Sequence, residues 1–208
     1  MRRPDAEARR PYPMKKGARP VIFALLAWFC FALAVGASRE FHYASAPGVA
    51  ATIWTLTALA LLALWKIRTI RDCLTSIDLW WLIAVHFTRF VGIYFLILGD
   101  RGDLPEGFAK PAGMGDIVIA IAAGFLVLVP QLRGRKILLV WNTLGLLDII
   151  FVAFSALRFG LKDWQSLAPL RALPLSLLPT FIVPLIIVSH VLIFVRLEVD
   201  AASSRVIK

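Results

Sequence analysis

Six apolar runs alternate with short polar links along the chain. They span about residues 21–38, 49–65, 77–98, 114–131, 137–157 and 174–197. An α-helix rises about 1.5 Å per residue, so roughly 17 to 25 apolar residues are enough to cross the hydrocarbon core of a bilayer. The pattern predicts an all-α fold, a polytopic transmembrane bundle of six helices.

The links differ in charge from one side of the predicted membrane to the other. Residues 66–71 and 133–136 are rich in lysine and arginine, whereas the other links are mixed in charge. Because cytoplasmic loops carry an excess of basic residues, these two links should lie inside. We therefore expect both chain ends in the cytoplasm, with a basic flexible arm over residues 1–20 and a tail over residues 198–208.

The composition supports the membrane class. The 208 residues are 60% hydrophobic and 17% charged, whereas about 25% charged residues is usual in soluble domains. A net charge of +10 would suit nucleic acid, but the basic residues lie in the arm and the links rather than on one face, so no nucleic-acid partner is expected. The arm either contacts anionic lipid head groups or acts only as a topology signal.

The third run carries the residue that is most costly to place in a membrane. Arg89 lies near its middle, where insertion of an arginine costs about 2.5 to 3.5 kcal/mol, so it should face the protein interior and have a partner. Counted from the basic links, Arg89 lies at a depth of ~18 Å and Asp148 at ~16 Å. We predict that these two form an ion pair, and that exchanging their charges restores what either single change destroys.

A second polar level is predicted closer to the cytoplasm. His86 comes out at a depth of ~13 Å and His190 at ~9 Å, with Asn142 nearby. His86 and Arg89 are three residues apart and should share one helix face. The polar layer of His86, Arg89, Asn142, Asp148 and His190 therefore predicts a small-solute or proton-coupled site, although structural pinning of the helices is an open alternative.

The two histidines leave a cofactor alternative open. One imidazole on each side of the iron would suit a b-type haem, with Gly92 and Gly145 giving room for the macrocycle. Hydrogen bonds from each histidine across the helices are the favoured interpretation, so no cofactor is expected. No metal site is expected either, because a zinc ion would need a third ligand at the same level, and Cys30 and Cys73 should not meet.

Asp116 follows the glycines and prolines of PAGMGD and is predicted near the outer face. The favoured interpretation is a carboxylate stabilised by the N-terminus of the fourth helix. The functional alternative is that it receives a cation or a proton at an outer mouth.

The segments LPEGFAKPAGMGD, WNTLGLLDII and LPTFIVPLIIVSH together resemble small bacterial integral membrane proteins that carry no assigned function. The resemblance covers roughly the last two thirds of the chain. It implies a multi-pass protein of the bacterial cytoplasmic (inner) membrane and implies no substrate.

Three classes of function follow. A small-solute or proton-coupled transporter is the first, a haem-binding electron carrier the second, and an accessory or structural subunit, as a homo-oligomer or in a larger membrane complex, the third. An enzyme is disfavoured because the common catalytic motifs, such as a Walker loop or HExxH, do not occur in the sequence.

Overall fold

The computed structural model describes residues 18–75 and 77–206, and the predicted arm lies almost wholly outside this range. Six long helices occur in the described part of the chain. They are α1 Ala18–Ala37, α2 Ala46–Lys66, α3 Leu79–Asp100, α4 Glu106–Leu128, α5 Arg135–Lys162, and α6, a π-helical turn Leu178–Ile182 that continues as the α-helix Val183–Val206. Short helices lie in the links, at Arg39–His42, Arg68–Leu74, Pro130–Leu132 and Gln165–Arg171.

Five of these helices, α2 to α6, are long and apolar enough to cross a membrane, while α1 contributes a shorter apolar stretch, Val21–Ala37. Their outward faces are apolar as well. On α5, for example, Leu144, Leu147, Phe151 and Phe154 are all exposed. A helix that is apolar all round belongs in lipid rather than water. The chain is a multi-pass membrane protein of all-α architecture.

The helix bounds differ from the predicted apolar runs most at α4. This helix begins at Glu106 with Pro111 inside it, eight residues before the predicted run that starts at residue 114. Glycines, prolines and Lys110 make this stretch resemble a loop, but packing against α3 and α5 makes it helical. The outer link after α3 is correspondingly short.

The two ends of the bundle are distinguished by their links. At one end, Arg196 of α6 donates from Nη1 to the carbonyls of Thr75 and Ile77, and Nε of Arg135 lies 3.4 Å from the carbonyl of Leu197. Both basic links therefore lie beside the C-terminal part of α6. We call this the basic end.

At the opposite end, the link between α5 and α6 is joined to the link between α1 and α2. Trp164 Nε1 donates to the carbonyl of Ala44 at 2.6 Å, and Arg171 Nη1 donates to the carbonyl of His42 at 2.8 Å. The short helix Gln165–Arg171 supplies the arginine. These bonds fix the opposite end across more than 100 residues of sequence.

Two prolines shape the start of α6. Pro179 is the second residue of the π-helical turn, in the first turn of the helix, where a missing N–H costs nothing. Pro184 has no N–H to give to the carbonyl of Thr180, and Trp28 Nε1 of α1 donates to that carbonyl instead, at 2.9 Å. The carbonyl that Pro184 leaves free is thus the polar anchor of α1 on the bundle.

Apolar cores lie on both sides of the bundle centre. Leu82, Ile83 and Trp141 belong to the core near the basic end, and Phe95 and Phe108 belong to the core near the opposite end. His86 and Arg89 of α3 lie between these two cores, and so do Asn142 and Asp148 of α5. The candidate site is therefore enclosed by apolar packing above and below.

Candidate functional site

Arg89 is held inside the bundle by a tightened stretch of α3. Residues Val85–Phe90 form a 3₁₀ segment, in which side chains three residues apart lie one above the other. His86 and Arg89 therefore project from the same face, as the sequence predicted, and both are buried. A 3₁₀ stretch within a longer helix often marks a functional position.

The Arg89 guanidinium contacts three groups on two neighbouring helices. Nε donates to Asp116 Oδ1 at 2.7 Å, Nη1 donates to the carbonyl of Gly145 at 2.9 Å, and Nη2 donates to Asp148 Oδ2. The predicted pairing of Arg89 with Asp148 is confirmed. One guanidinium nevertheless serves two carboxylates, and we call Arg89, Asp116 and Asp148 the charged layer.

The favoured interpretation of Asp116 was wrong. It does not stabilise the start of α4, because the helix begins at Glu106 and Asp116 lies about 15 Å further along it. Its side chain is 4% exposed and is paired with Arg89. The error has one cause, since reading residues 106–113 as a loop moved Asp116 from the centre of the bundle to its surface.

Close approach of the helices depends on glycines. A Cβ atom on Gly113 would lie 2.7 Å from the carbonyl oxygen of Gly92, so α3 and α4 touch backbone to backbone. A Cβ on Gly115 would collide with the Asp148 carboxylate. Small residues at these contacts allow the helices to bring three charged groups together.

A second group of polar side chains lies beside the charged layer. His190 Nδ1 lies 2.7 Å from Asn142 Oδ1, the Asn142 amide donates to the carbonyl of His190 at 3.0 Å, and His86 Nε2 lies 3.2 Å from Ser189 Oγ. We call His86, Asn142, Ser189 and His190 the histidine layer. All four side chains are buried.

Hydrogen-bond partners define the tautomer of each histidine. Ser189 donates its single hydroxyl proton to the carbonyl of Ile186 at 2.7 Å, so its oxygen accepts from His86 Nε2. Asn142 Oδ1 can only accept, so His190 Nδ1 donates to it. When both rings are neutral, His86 Nδ1 and His190 Nε2 carry no proton, and we call such a nitrogen bare. Neither of the two has a hydrogen-bond partner among the described residues.

Gly145 connects the two layers. Its carbonyl accepts from Arg89, and a Cβ at this position would lie 2.7 Å from Cε1 and 3.1 Å from Nε2 of His190. The bare nitrogen of His190 therefore faces the residue that also holds the guanidinium. All six residues predicted for the site are brought together, and Ser189 and Gly145 complete the arrangement.

The arrangement of the histidines does not fit a haem. The rings of His86 and His190 are in direct contact, with centroids 4.3 Å apart, whereas a haem would have to lie between them. Gly145 was expected to leave room for the macrocycle, but the His190 ring occupies the space beside it. Among the described residues, no group of three His, Cys, Asp or Glu side chains is placed to hold a metal ion.

A cavity of about 70 Å³ reaches the charged layer from the side of the opposite end. Arg89 and Asp116 are its charged lining residues, and most of its remaining wall is apolar, with Phe95, Ile149 and Ile186 as examples. We call it the central cavity. A water molecule needs roughly 10 to 15 Å³ of such space and two or more polar partners, so the cavity suits a few waters at its charged end.

Reasoning from the sequence missed Ser189 and considered Gly145 only as room for a haem, not as the link between the two layers. Ser189 directly precedes His190, and Gly145 precedes Asp148 by three residues, which places it on the same helix face. Adjacency to a candidate residue was the available signal for both.

Comparisons with curated proteins and with solved structures find no match. A family model described as a domain of unknown function, DUF8737, matches residues 46–198. The match runs from the start of α2 into α6 and includes every residue of the two polar layers. It covers well over half of the chain, and the protein therefore belongs to the DUF8737 family.

Proposed function

We propose that this protein moves protons across its membrane, as a small proton-coupled carrier whose coupling site is the charged layer. The observation that carries the proposal is one buried guanidinium shared by two carboxylates. With both carboxylates ionised, the cluster has a formal charge of −1. An uncompensated charge in a low-dielectric interior is costly, so binding of one proton stabilises the cluster.

Asp116 is the carboxylate that exchanges this proton. Proton exchange needs contact with water, and Asp116 lines the central cavity, which has room for a few waters. The Asp148 side chain is 18% exposed against 4% for Asp116, but its exposed side lies among Leu144, Leu147 and Phe151 on the lipid surface of α5. The role of Asp148 is to make the guanidinium insufficient for both carboxylates.

The histidine layer extends the proton path towards the basic end. His86 Nδ1 and His190 Nε2 are buried acceptors without partners in the described structure, and the two rings are in contact. An imidazole can accept a proton on one nitrogen and release it from the other, which suits it to a relay. Gly145 places His190 directly beside the group that holds Arg89.

The size of the central cavity favours a proton over a bound solute. Small-molecule sites usually enclose roughly 300 to 1,000 Å³, several times the volume of about 70 Å³ found beside Arg89. Any solute that is carried with the proton therefore needs a second arrangement of the helices. The π-helical turn and the two prolines at the start of α6 are the most suitable hinge.

The proposed topology has six spans, with α1 as the first, and both chain ends in the cytoplasm of a bacterium. The positive-inside rule supports it, because the basic links 66–71 and 133–136 both lie at the basic end. The inner membrane is the proposed location.

An accessory or structural subunit is the second candidate. Asp148 lies on α5 among the exposed residues Leu144, Leu147 and Phe151, so its open side faces the lipid surface of the bundle. A carboxylate in that place would be stabilised by a partner helix, either from a second copy or from a larger complex.

Proton movement can be measured in vesicles that contain the purified protein and a trapped pH-sensitive dye, with a potassium gradient and valinomycin setting the membrane potential. We expect faster proton entry than in protein-free vesicles. Asp116→Asn should return the rate to the protein-free level, because it removes the exchanging carboxylate. Asp148→Asn should do the same, because it removes the surplus negative charge that binds the proton, and His190→Gln should slow proton entry. Arg89→Lys retains the charge but loses the planar fork, so it tests whether the geometry of the cluster matters.

Asp103→Asn is the matched control, because Asp103 is exposed in the link between α3 and α4. The control should conduct as the wild type does. Wild-type vesicles that acidify no faster than empty ones would contradict the proposal. Loss of a stable oligomer in Asp148→Asn would then favour the accessory-subunit candidate.

A further inference from the structure

A large apolar cavity lies at the basic end, and Ser189 is the point at which its wall reaches the histidine layer. It has a volume of about 660 Å³ and is lined by α1, α2, α3, α6 and the short helix Arg68–Leu74. This is within the roughly 300 to 1,000 Å³ of small-molecule sites. We call it the basic-end cavity, and its wall includes Trp28, Ala63, Trp81 and Leu192.

The short helix between α2 and α3 is amphipathic and closes this cavity on one side. Ile70 and Leu74 line the cavity, together with Ile67 just before the helix. Arg68 and Arg71 are exposed instead. A helix with one apolar and one basic face lies in the plane of a membrane interface, with its charges at the level of the head groups.

The charge around the short helix is positive. Lys66, Arg68 and Arg71 carry three positive charges and Asp72 carries one negative charge. Asp78 of the same link accepts from the backbone N–H of Trp80 at 2.8 Å. These five residues together carry a net charge of +1, which favours an anionic group above the cavity.

Tryptophans mark the same level of the bundle. Trp65 and Trp81 are 66% and 65% exposed, and Lys66 lies over the Trp65 ring at 4.2 Å. Exposed tryptophans of membrane proteins concentrate at the interface between hydrocarbon and head groups. The mouth of the cavity is therefore at head-group depth, while its apolar wall extends into the hydrocarbon.

We propose that the basic-end cavity binds one anionic phospholipid, with an acyl chain inside the cavity and the phosphate beside Arg68 and Arg71. The apolar wall matches the chain, and the two exposed guanidinium groups match the phosphate in charge and geometry. Soluble anions have no acyl chain to fill the cavity, and zwitterionic lipids have no net negative charge to attract the two arginines, so both should bind more weakly. The proposal does not rest on proton movement, because the arginines and the Ala63 wall on which it is tested belong to neither polar layer.

Native mass spectrometry of the full chain in detergent tests this. The protein is incubated with equal amounts of phosphatidylglycerol and phosphatidylcholine that have identical acyl chains. Two basic residues near a lipid phosphate predict a preference of roughly 30-fold for one bound phosphatidylglycerol. Arg68→Gln with Arg71→Gln should bring the two lipids to nearly equal binding.

A second variant tests the cavity itself. Ala63→Trp fills the space and should remove both lipids, whereas Ala58→Trp on the exposed face of the same helix should bind as the wild type does. If Ala63→Trp does not fold, Ala63→Leu takes its place and should weaken the binding of both lipids. Arg101→Gln with Lys136→Gln removes two exposed charges elsewhere and should leave the preference unchanged.

Three results would overturn the proposal. The first is equal binding of the two lipids by the wild type, and the second is an unchanged preference after both arginines are replaced. The third is a folded variant at Ala63 that keeps the wild-type amount of phosphatidylglycerol.

Discussion

The charged layer and the histidine layer lie side by side in the bundle but satisfy their polar atoms differently. In the charged layer, all three guanidinium nitrogens of Arg89 have partners. In the histidine layer, His86 and His190 each keep one nitrogen without a partner in the described structure. The difference reflects the free energy of burying a group without a partner. This cost is several kcal/mol for an ion but about 1 to 3 kcal/mol for a neutral polar group.

This contrast separates the tasks of the two layers. A fully engaged cation holds three helices together, whereas a bare imidazole nitrogen is free to accept a proton. Three substitutions, one in each layer and one between them, test the separation.

The largest effect is expected in the charged layer. Arg89→Gln leaves the buried Asp116 and the partly buried Asp148 without a cation. Losing one partner of a buried ion pair costs about 3 to 5 kcal/mol. Unfolding in mixed micelles with a rising fraction of dodecyl sulfate should show this loss. Arg101→Gln, at an exposed position, should unfold as the wild type does.

Further substitutions in the Arg89→Gln variant show whether its loss of stability is electrostatic. Adding Asp116→Asn and Asp148→Asn to Arg89→Gln removes every charge of the layer and should recover most of the stability. Exchange of the charges at positions 89 and 148 should not, because the new carboxylate at 89 would face Asp116. This expectation reverses the prediction made from the sequence, that exchanging the two charges restores the protein. If the exchanged variant is nevertheless as stable as the wild type, Asp116 contributes little to the stability of the charged layer.

A smaller effect is expected where the two layers meet. Gly145→Ala places a methyl group 2.7 Å from His190 Cε1, and such overpacking costs about 1 to 3 kcal/mol. Gly124→Ala is the matched control, since its nearest neighbour would be Phe87 at 3.7 Å. Equal stability of the two variants would show that His190 can move, and that the layers are not rigidly joined.

The smallest effect is expected in the histidine layer. Asn142→Leu keeps the size of the side chain and removes two hydrogen bonds, which inside membranes are worth about 0.6 kcal/mol each on average. We expect a loss of roughly 1 kcal/mol, with Thr143→Val, at an exposed neighbouring position, as the control. A loss as large as that of Arg89→Gln would remove the distinction between the layers.

Much of the candidate site could be predicted because charges in a membrane are rare and costly. Depth counting brought Arg89 and Asp148 to the same level, and their contact is confirmed. It also identified His86, Asn142 and His190 as neighbours. The same method failed for Asp116, because a depth depends on where its helix starts, and Pro111 and the glycines concealed that start.

The sequence by itself determined the membrane class, the helical architecture and which polar residues had to turn inward. These follow from the free energy of transfer into lipid, which depends on the side chains of each segment and not on its neighbours. Pro184 likewise determined that the carbonyl of Thr180 would be free.

Only the tertiary structure decided which groups are partners. Trp28 of α1 takes the free carbonyl of Thr180, Asp116 competes with Asp148 for one guanidinium, and Ser189 sets the tautomer of His86. Each of these contacts joins residues that are between 27 and 152 positions apart. The helices can approach closely enough to make them because glycines such as Gly113 present bare backbone, and that proximity depends on packing between helices rather than on any one segment.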